Sequence, residues 1–141
     1  MKITNIPFQD TGYFSKIMCD YLEITPALEP FYNRFPSIHN FRNQIEEKRN
    51  SSELSSSQRK RLVTVLEDQY KSIDTSEQTR NNIQSLLESH TFTITTGHQL
   101  NLFTGPLYFL YKILATINLC ERLRLQFPEE NFVPVYWMAT E

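Results

Sequence analysis

Thr91-Phe92-Thr93-Ile94-Thr95-Thr96-Gly97 and Phe132-Val133-Pro134-Val135-Tyr136-Trp137-Met138, with Gly105-Pro106-Leu107 between them, are the stretches that decide the fold. The first is β-branched and aromatic, which predicts a strand ending at Gly97. Gly105-Pro106 opens a helix predicted to run to about Leu125, with Pro106 in the first turn, where its missing N–H is not needed. Leu107, Leu110, Tyr111, Leu114, Ile117 and Leu119 leave that helix little polar surface, so it is expected to be largely buried. Pro128 closes the connection. The last stretch is almost continuously apolar, as a strand covered on both faces should be. Strand, helix and parallel strand make one βαβ unit, and the chain reads as an α/β protein.

Upstream, residues 1–90 read as a mostly helical segment, and residues 91–141 as the βαβ unit. Four prolines (Pro7, Pro26, Pro30 and Pro36) break up residues 1–36. An extended opening over Ile3 to Phe8, which could add a third strand, precedes a helix around Tyr13 to Leu22. Ile24 to Pro36 reads as an irregular loop pinned by Phe31, Tyr32 and Phe35. Ser37 is placed to cap a helix running to about Arg49. Ser55 and Gln58 have capping-box spacing ahead of a helix with Leu62, Leu66, Gln69 and Ile73 on one stripe, Val63 and Tyr70 beside it. Asp74 or Thr75 is expected to cap another helix, whose apolar face is Ile83, Leu86 and Leu87. The basic runs Lys48-Arg49 and Arg59-Lys60-Arg61 could form a phosphate-binding patch, but they read better as a solvated helix face, since Glu46, Glu47 and Glu53 lie among them.

The 141 residues suffice for one compact domain, and a net charge of −2 supplies no field for nucleic acid or an acidic membrane. Cys19 and Cys120 lie far apart and outside any CxxC or Cys/His cluster, so a metal cluster is not expected and both read as reduced thiols. His39 and His90 read as surface residues. No signal sequence or membrane span is visible, which points to a cytoplasmic protein.

The chemistry-bearing stretch is Thr96-Gly97-His98-Gln99-Leu100-Asn101-Leu102-Phe103-Thr104-Gly105-Pro106-Leu107-Tyr108, between the carboxyl end of a strand and the amino end of a helix. Ligands of open α/β sheets bind at such a place. Glycines let backbone approach a ligand, and the free amides and dipole of a helix start favour a phosphate or carboxylate. His98 and Gln99 supply donors, Thr104 a hydroxyl, and Lys112 a charge. The stretch is neither a Walker A loop nor GxGxxG, and Glu141 comes too late to be a ribose-binding acid. On spacing alone, His98 reads equally as a ligand-facing imidazole or as a polar loop cap.

Taken together, Thr96-Gly97-His98-Gln99, Leu102-Phe103-Thr104-Gly105-Pro106-Leu107-Tyr108, Tyr111-Lys112 and Val133 to Glu141 resemble the bacillithiol biosynthesis cysteine-adding enzymes. The likeness is close over the last third of the chain and looser before it. This chain has His98 where members commonly carry Gln. The resemblance implies the N-terminal part of a Rossmann-like core related to nucleotidylyltransferases. It implies a ligase joining L-cysteine to glucosaminyl-malate, with ATP or ADP as nucleotide. His98 would be the catalytic residue, and Thr96, Gly97, Gln99, Thr104, Gly105, Lys112 and Glu141 would bind nucleotide or substrate. Members are several times longer, so the chain is expected to be a fragment, inactive by itself, with an uncovered strand edge that favours self-association. A non-catalytic nucleotide- or partner-binding module is the alternative.

Overall fold

The computed structural model describes residues 3–52 and 54–139, apart from the side chains of Ser52 and Thr104. It contains α1 (Lys16–Leu22), α2 (Phe41–Ser52), α3 (Ser56–Tyr70), α4 (Glu77–Ser85), β1 (Thr91–Gln99), α5 (Leu107–Gln126) and β2 (Asn131–Ala139). The chain divides into two compact units, Met1–Gln44 and Ile45–Glu141, so α3 and α4 share a unit with the strands.

In the first unit the expected extended opening does not become a third strand. Residues 3–7 carry no regular structure and Phe8–Thr11 form a 3-10 turn. Pro7 lacks the N–H a ladder needs, and Gly12 turns the chain with φ 69°. Ser15 caps α1 by accepting from the Met18 amide at 3.4 Å. Pro26–Phe31 form a second 3-10 turn. Tyr21 of α1 gathers the aromatics that follow, its ring centroid 5.4 Å from that of Tyr32 and 5.3 Å from that of Phe35. Phe31, expected among them, is exposed instead.

Helix starts follow local side-chain chemistry, with two corrections. The capping box at α3 is present: Ser55 Oγ accepts from the Gln58 amide at 3.3 Å, and Gln58 Oε1 accepts from the Ser55 amide at 2.8 Å. Ser37 does not cap its helix; a 3-10 turn over Ile38–Asn40 intervenes, and the Ser37 hydroxyl meets the His39 ring at 3.2 Å. Ser76, rather than Asp74 or Thr75, caps α4, accepting from the Thr79 amide at 3.2 Å. The Thr75 carbonyl instead accepts from Arg80 at 2.8 Å.

β1 and β2 pair in parallel, in register from Thr91↔Asn131 to Gln99↔Ala139. Side chains alternate across the sheet. Val133 packs with Val63, Ile83 and Leu86 of the α3/α4 layer, with Leu66 and Val135 beside them. Phe132 and Tyr136, on the opposite face, meet Phe127 and Phe109 with ring centroids 6.5 and 5.4 Å apart. Helices therefore cover both faces of β2 over its first half, as its apolar run predicts. The strand's far end differs: Trp137 and Met138 are exposed.

The expectation of a largely buried α5 is overturned. Thr116, Cys120 and Leu123 are buried, but Leu107, Tyr111 and Leu114 are each more than half exposed. Two strands about 5 Å apart cover only one stripe of a helix, so an apolar composition all round does not give burial all round.

The basic runs are also not simply solvated. Arg49 pairs with buried Glu130 through Nη2–oxygen distances of 2.5 and 2.6 Å and lies over the Phe92 ring. Arg59 donates to the carbonyls of Leu86 at 3.0 Å and of Thr91 and Ser89 at 3.4 Å. Lys48, Lys60 and Arg61 remain exposed.

Candidate functional site

The strand runs two residues further into the strand-to-helix corner than its sequence indicated. β1 does not end at Gly97 but continues through His98 and Gln99 while still paired with β2. Thr96 and His98 share the face towards α5, and Gly97 points the other way. Thr96 lines a cavity of about 140 Å³ together with Ile113, Thr116, Pro134 and Tyr136.

The glycines serve the protein's own packing. A Cβ on Gly97 would stand 2.8 Å from the Trp137 carbonyl oxygen and 3.1 Å from the Trp137 Cβ. Gly105 has φ 64°, and a Cβ there would stand 2.7 Å from the Asn101 side chain. A side chain at either position would press on the neighbouring strand or close the turn badly. Between them, Leu102–Thr104 form a 3-10 turn, with Phe103 exposed and in the left-handed region at φ 48°. A bulky residue there stores local strain, a feature that gathers at functional sites.

His98 is half-buried and held at both ring nitrogens. Nε2 lies 2.7 Å from the Tyr108 hydroxyl, and Nδ1 lies 2.9 Å from the Gln99 carbonyl oxygen and 2.9 Å from Asn101 Nδ2. Phe109 meets the imidazole edge-on, with centroids 6.1 Å apart. The Tyr136 hydroxyl donates to the His98 carbonyl at 3.2 Å, tying β2 to the same point. Lys112, one turn beyond Tyr108, reaches back: Nζ donates to the Gly97 carbonyl at 3.2 Å and lies 5.5 Å from the Tyr108 ring centroid.

The structure thus brings together Gly97, His98, Gln99 and Lys112 around Tyr108, and sets Gly105 one turn away. Thr96 faces a neighbouring cavity. The Thr104 side chain and Glu141 lie outside the described residues. Sequence reasoning missed Tyr108, Asn101 and Tyr136 as parts of the corner. The first was findable, because Tyr108 and Lys112 are four apart and share a helix face.

Electrostatically the corner is one-sided. Residues 96–112 contain no Asp or Glu and carry a positive charge at Lys112. α5 starts here, with Leu107 and Tyr108 exposed on its first turn. Donors and a cation gathered at a helix start suit a phosphate or carboxylate. Elsewhere in the unit, Cys120 is buried, and that burial pushes its thiol up to about 11, so it stays protonated at neutral pH. Among the described residues no group of His, Cys, Asp and Glu could hold a metal ion, and no helix is long and apolar enough to cross a membrane.

Comparison with known proteins agrees with the family resemblance of the sequence. The family model described as bacillithiol biosynthesis BshC, N-terminal Rossmann-like domain, matches residues 1–141. A protein of Flavobacterium psychrophilum named "Putative cysteine ligase BshC" is 59% identical over 136 residues, covering 96% of this chain and 25% of the relative. The proteins of the same name from Christiangramia forsetii and Cytophaga hutchinsonii are 54% and 42% identical, over 96% and 99% of this chain and 25% and 26% of their own lengths. The chain spans about a quarter of the length of these curated relatives. With a parallel βαβ unit, its polar corner and a match along the whole sequence, the chain belongs to the bacillithiol biosynthesis BshC family, as its N-terminal Rossmann-like domain.

Proposed function

We propose that this domain supplies the anion-binding corner of a ligase that joins L-cysteine to glucosaminyl-malate, the last step of bacillithiol biosynthesis. The bond formed is an amide between the cysteine carboxyl carbon and the glucosamine nitrogen. The observation that carries the reading is the corner itself: His98, Tyr108 and Lys112 gathered at the exposed start of α5, in a stretch without a carboxylate. The names of the relatives support the ligase assignment.

The donors fit ATP or ADP through a phosphate, and they equally fit a substrate carboxylate. ATP, when bound, supplies the activation that a carboxylate needs before an amine displaces its oxygen. The chain's own part is to bind and orient. Lys112 Nζ keeps two further N–H groups after its bond to Gly97. Gln99 offers an exposed amide, and Thr96 a hydroxyl at the neighbouring cavity. The Thr104 hydroxyl and Glu141 carboxylate complete the assignment, with Gly97 and Gly105 setting the backbone. In this reading the substrates are small molecules in the cytoplasm, and neither nucleic acid nor membrane takes part. Sites in such sheets draw on several strand ends, so the 141-residue chain by itself binds ligand without turnover.

The test is product formation by the full-length protein. L-cysteine, glucosaminyl-malate and ATP together should give a new thiol of the mass of their amide, and leaving out ATP should abolish it. No such product with all three present would overturn the reading.

A further inference from the structure

In this geometry His98 has no ring nitrogen left for a ligand. Each nitrogen of a neutral imidazole either donates or accepts. Two arrangements are open, and each makes one of the two Nδ1 contacts a hydrogen bond and leaves the other unbonded. In one, Nδ1–H donates to the Gln99 carbonyl and Nε2 accepts from the Tyr108 hydroxyl. In the other, Nδ1 accepts from the Asn101 amide, Nε2–H donates to the Tyr108 oxygen, and the phenolic hydrogen is left free to point outward. The proton count is the same in both. What differs is the face that Tyr108 shows: lone pairs in the first state, an O–H donor in the second.

An anion needs a donor and so selects the second state. Tyr108 is placed to offer it, being 51% exposed on the first turn of α5. Lys112 Nζ, 5.5 Å from the centroid of the phenol ring, supplies a positive charge to the same corner. The Gln99 carbonyl contributes by holding the Asn101 amide at 2.8 Å, which keeps one amide N–H aimed at Nδ1 and the other at the carbonyl. We propose that Tyr108 is the donor that meets the phosphate or carboxylate ligand, and that His98 is its positioning residue, acting through the phenol and not on the ligand. This rests on the corner being a binding site, as proposed above.

The experiment titrates the 141-residue chain with inorganic phosphate and, separately, ATP, following backbone amide shifts and the nitrogen shifts of the His98 ring. In the unaltered chain, saturating phosphate should move the Tyr108 and Lys112 amides and shift the ring towards the Nε2–H form. Tyr108→Phe should weaken binding about tenfold, His98→Ala by a similar factor, and the double variant no further than either single one. His98→Gln, whose amide can still bond the phenol but cannot take up a proton, should stay within about threefold of the unaltered chain.

Tyr108→Phe binding like the unaltered chain while His98→Ala binds weakly would overturn the proposal, since the imidazole would then be the contact. His98→Gln falling as far as His98→Ala, or a ring whose protonated nitrogen is unmoved by saturating phosphate, would overturn it as well. The ring measurement needs no variant and so does not depend on a substituted chain folding. If phosphate and ATP move nothing at the corner of the unaltered chain, the site reading itself fails, and this inference with it.

Discussion

The two ends of the same βαβ unit are built for different tasks. At the end where β2 begins, Phe132 and Val133 are buried, Leu123 of α5 is buried as well and Glu130 is sealed by Arg49. At the end where β1 meets the loop, Trp137, Met138, Leu102 and Phe103 are exposed, and the polar groups bond to one another around His98. One pair of strands thus runs from a core that resists change into a corner whose groups are held by hydrogen bonds. Apolar composition does not separate the two ends, since both are rich in Leu, Phe and Tyr. What separates them is whether helices lie over the residue.

The largest effect should therefore come from two leucines on one helix. Leu123 is 0% exposed and Leu125 is 85% exposed. Leu123→Ala should cost about 2–5 kcal/mol in denaturant unfolding, and Leu125→Ala within roughly 0.5 kcal/mol. Equal costs would erase the contrast.

A smaller effect is expected at the ion pair. The Glu130 side chain is 3% exposed and that of Arg49 is 44% exposed. Glu130→Gln removes the anion but leaves a cation that can reach water, so the cost should be about 1–3 kcal/mol, below that of a fully buried pair. No change in the unfolding midpoint would show that the pair is ornamental to the core end.

The smallest effect is a pH dependence. The Cys120 thiol stands at about 11 in the folded chain against an ordinary value of 9.0. Between those values the unfolded state loses its proton and the folded state keeps it, so stability falls as pH rises through that window. Melting temperature should drop more steeply from pH 9 to pH 11 in the unaltered chain than in Cys120→Ala. Parallel slopes would show that the thiol is not sealed in the core.

The sequence carried the elements better than their surroundings. The strand start at Thr91 and the Ser55–Gln58 box are local patterns that stand where they were expected, while the helix expected to take Pro106 into its first turn starts at Leu107, with Pro106 as its extended N-cap. Serine at position 76 caps α4 because cap choice turns on a one-residue difference in where the backbone enters the helix. The burial of α5 was misread because periodicity reports composition around a helix, not what lies over each face. Arg49 and Glu130 are 81 residues apart, and no local pattern announces such a pair. At the corner, His98 and Lys112 were legible as polar residues out of place in an apolar stretch. Tyr108 was legible only through its four-residue spacing from Lys112, because a tyrosine on a helix otherwise reads as apolar until its hydroxyl is seen beside an imidazole.

The central claim is that the end of β1 and the start of α5 hold an anion. Its most direct test is a titration of the 141-residue chain with ATP, read at the backbone amides of Gly97, His98, Gly105 and Tyr108. Saturable shifts concentrated at those residues, reduced by added inorganic phosphate, are the predicted result. Shifts confined to the helices of residues 45–90, or none at all, would contradict it.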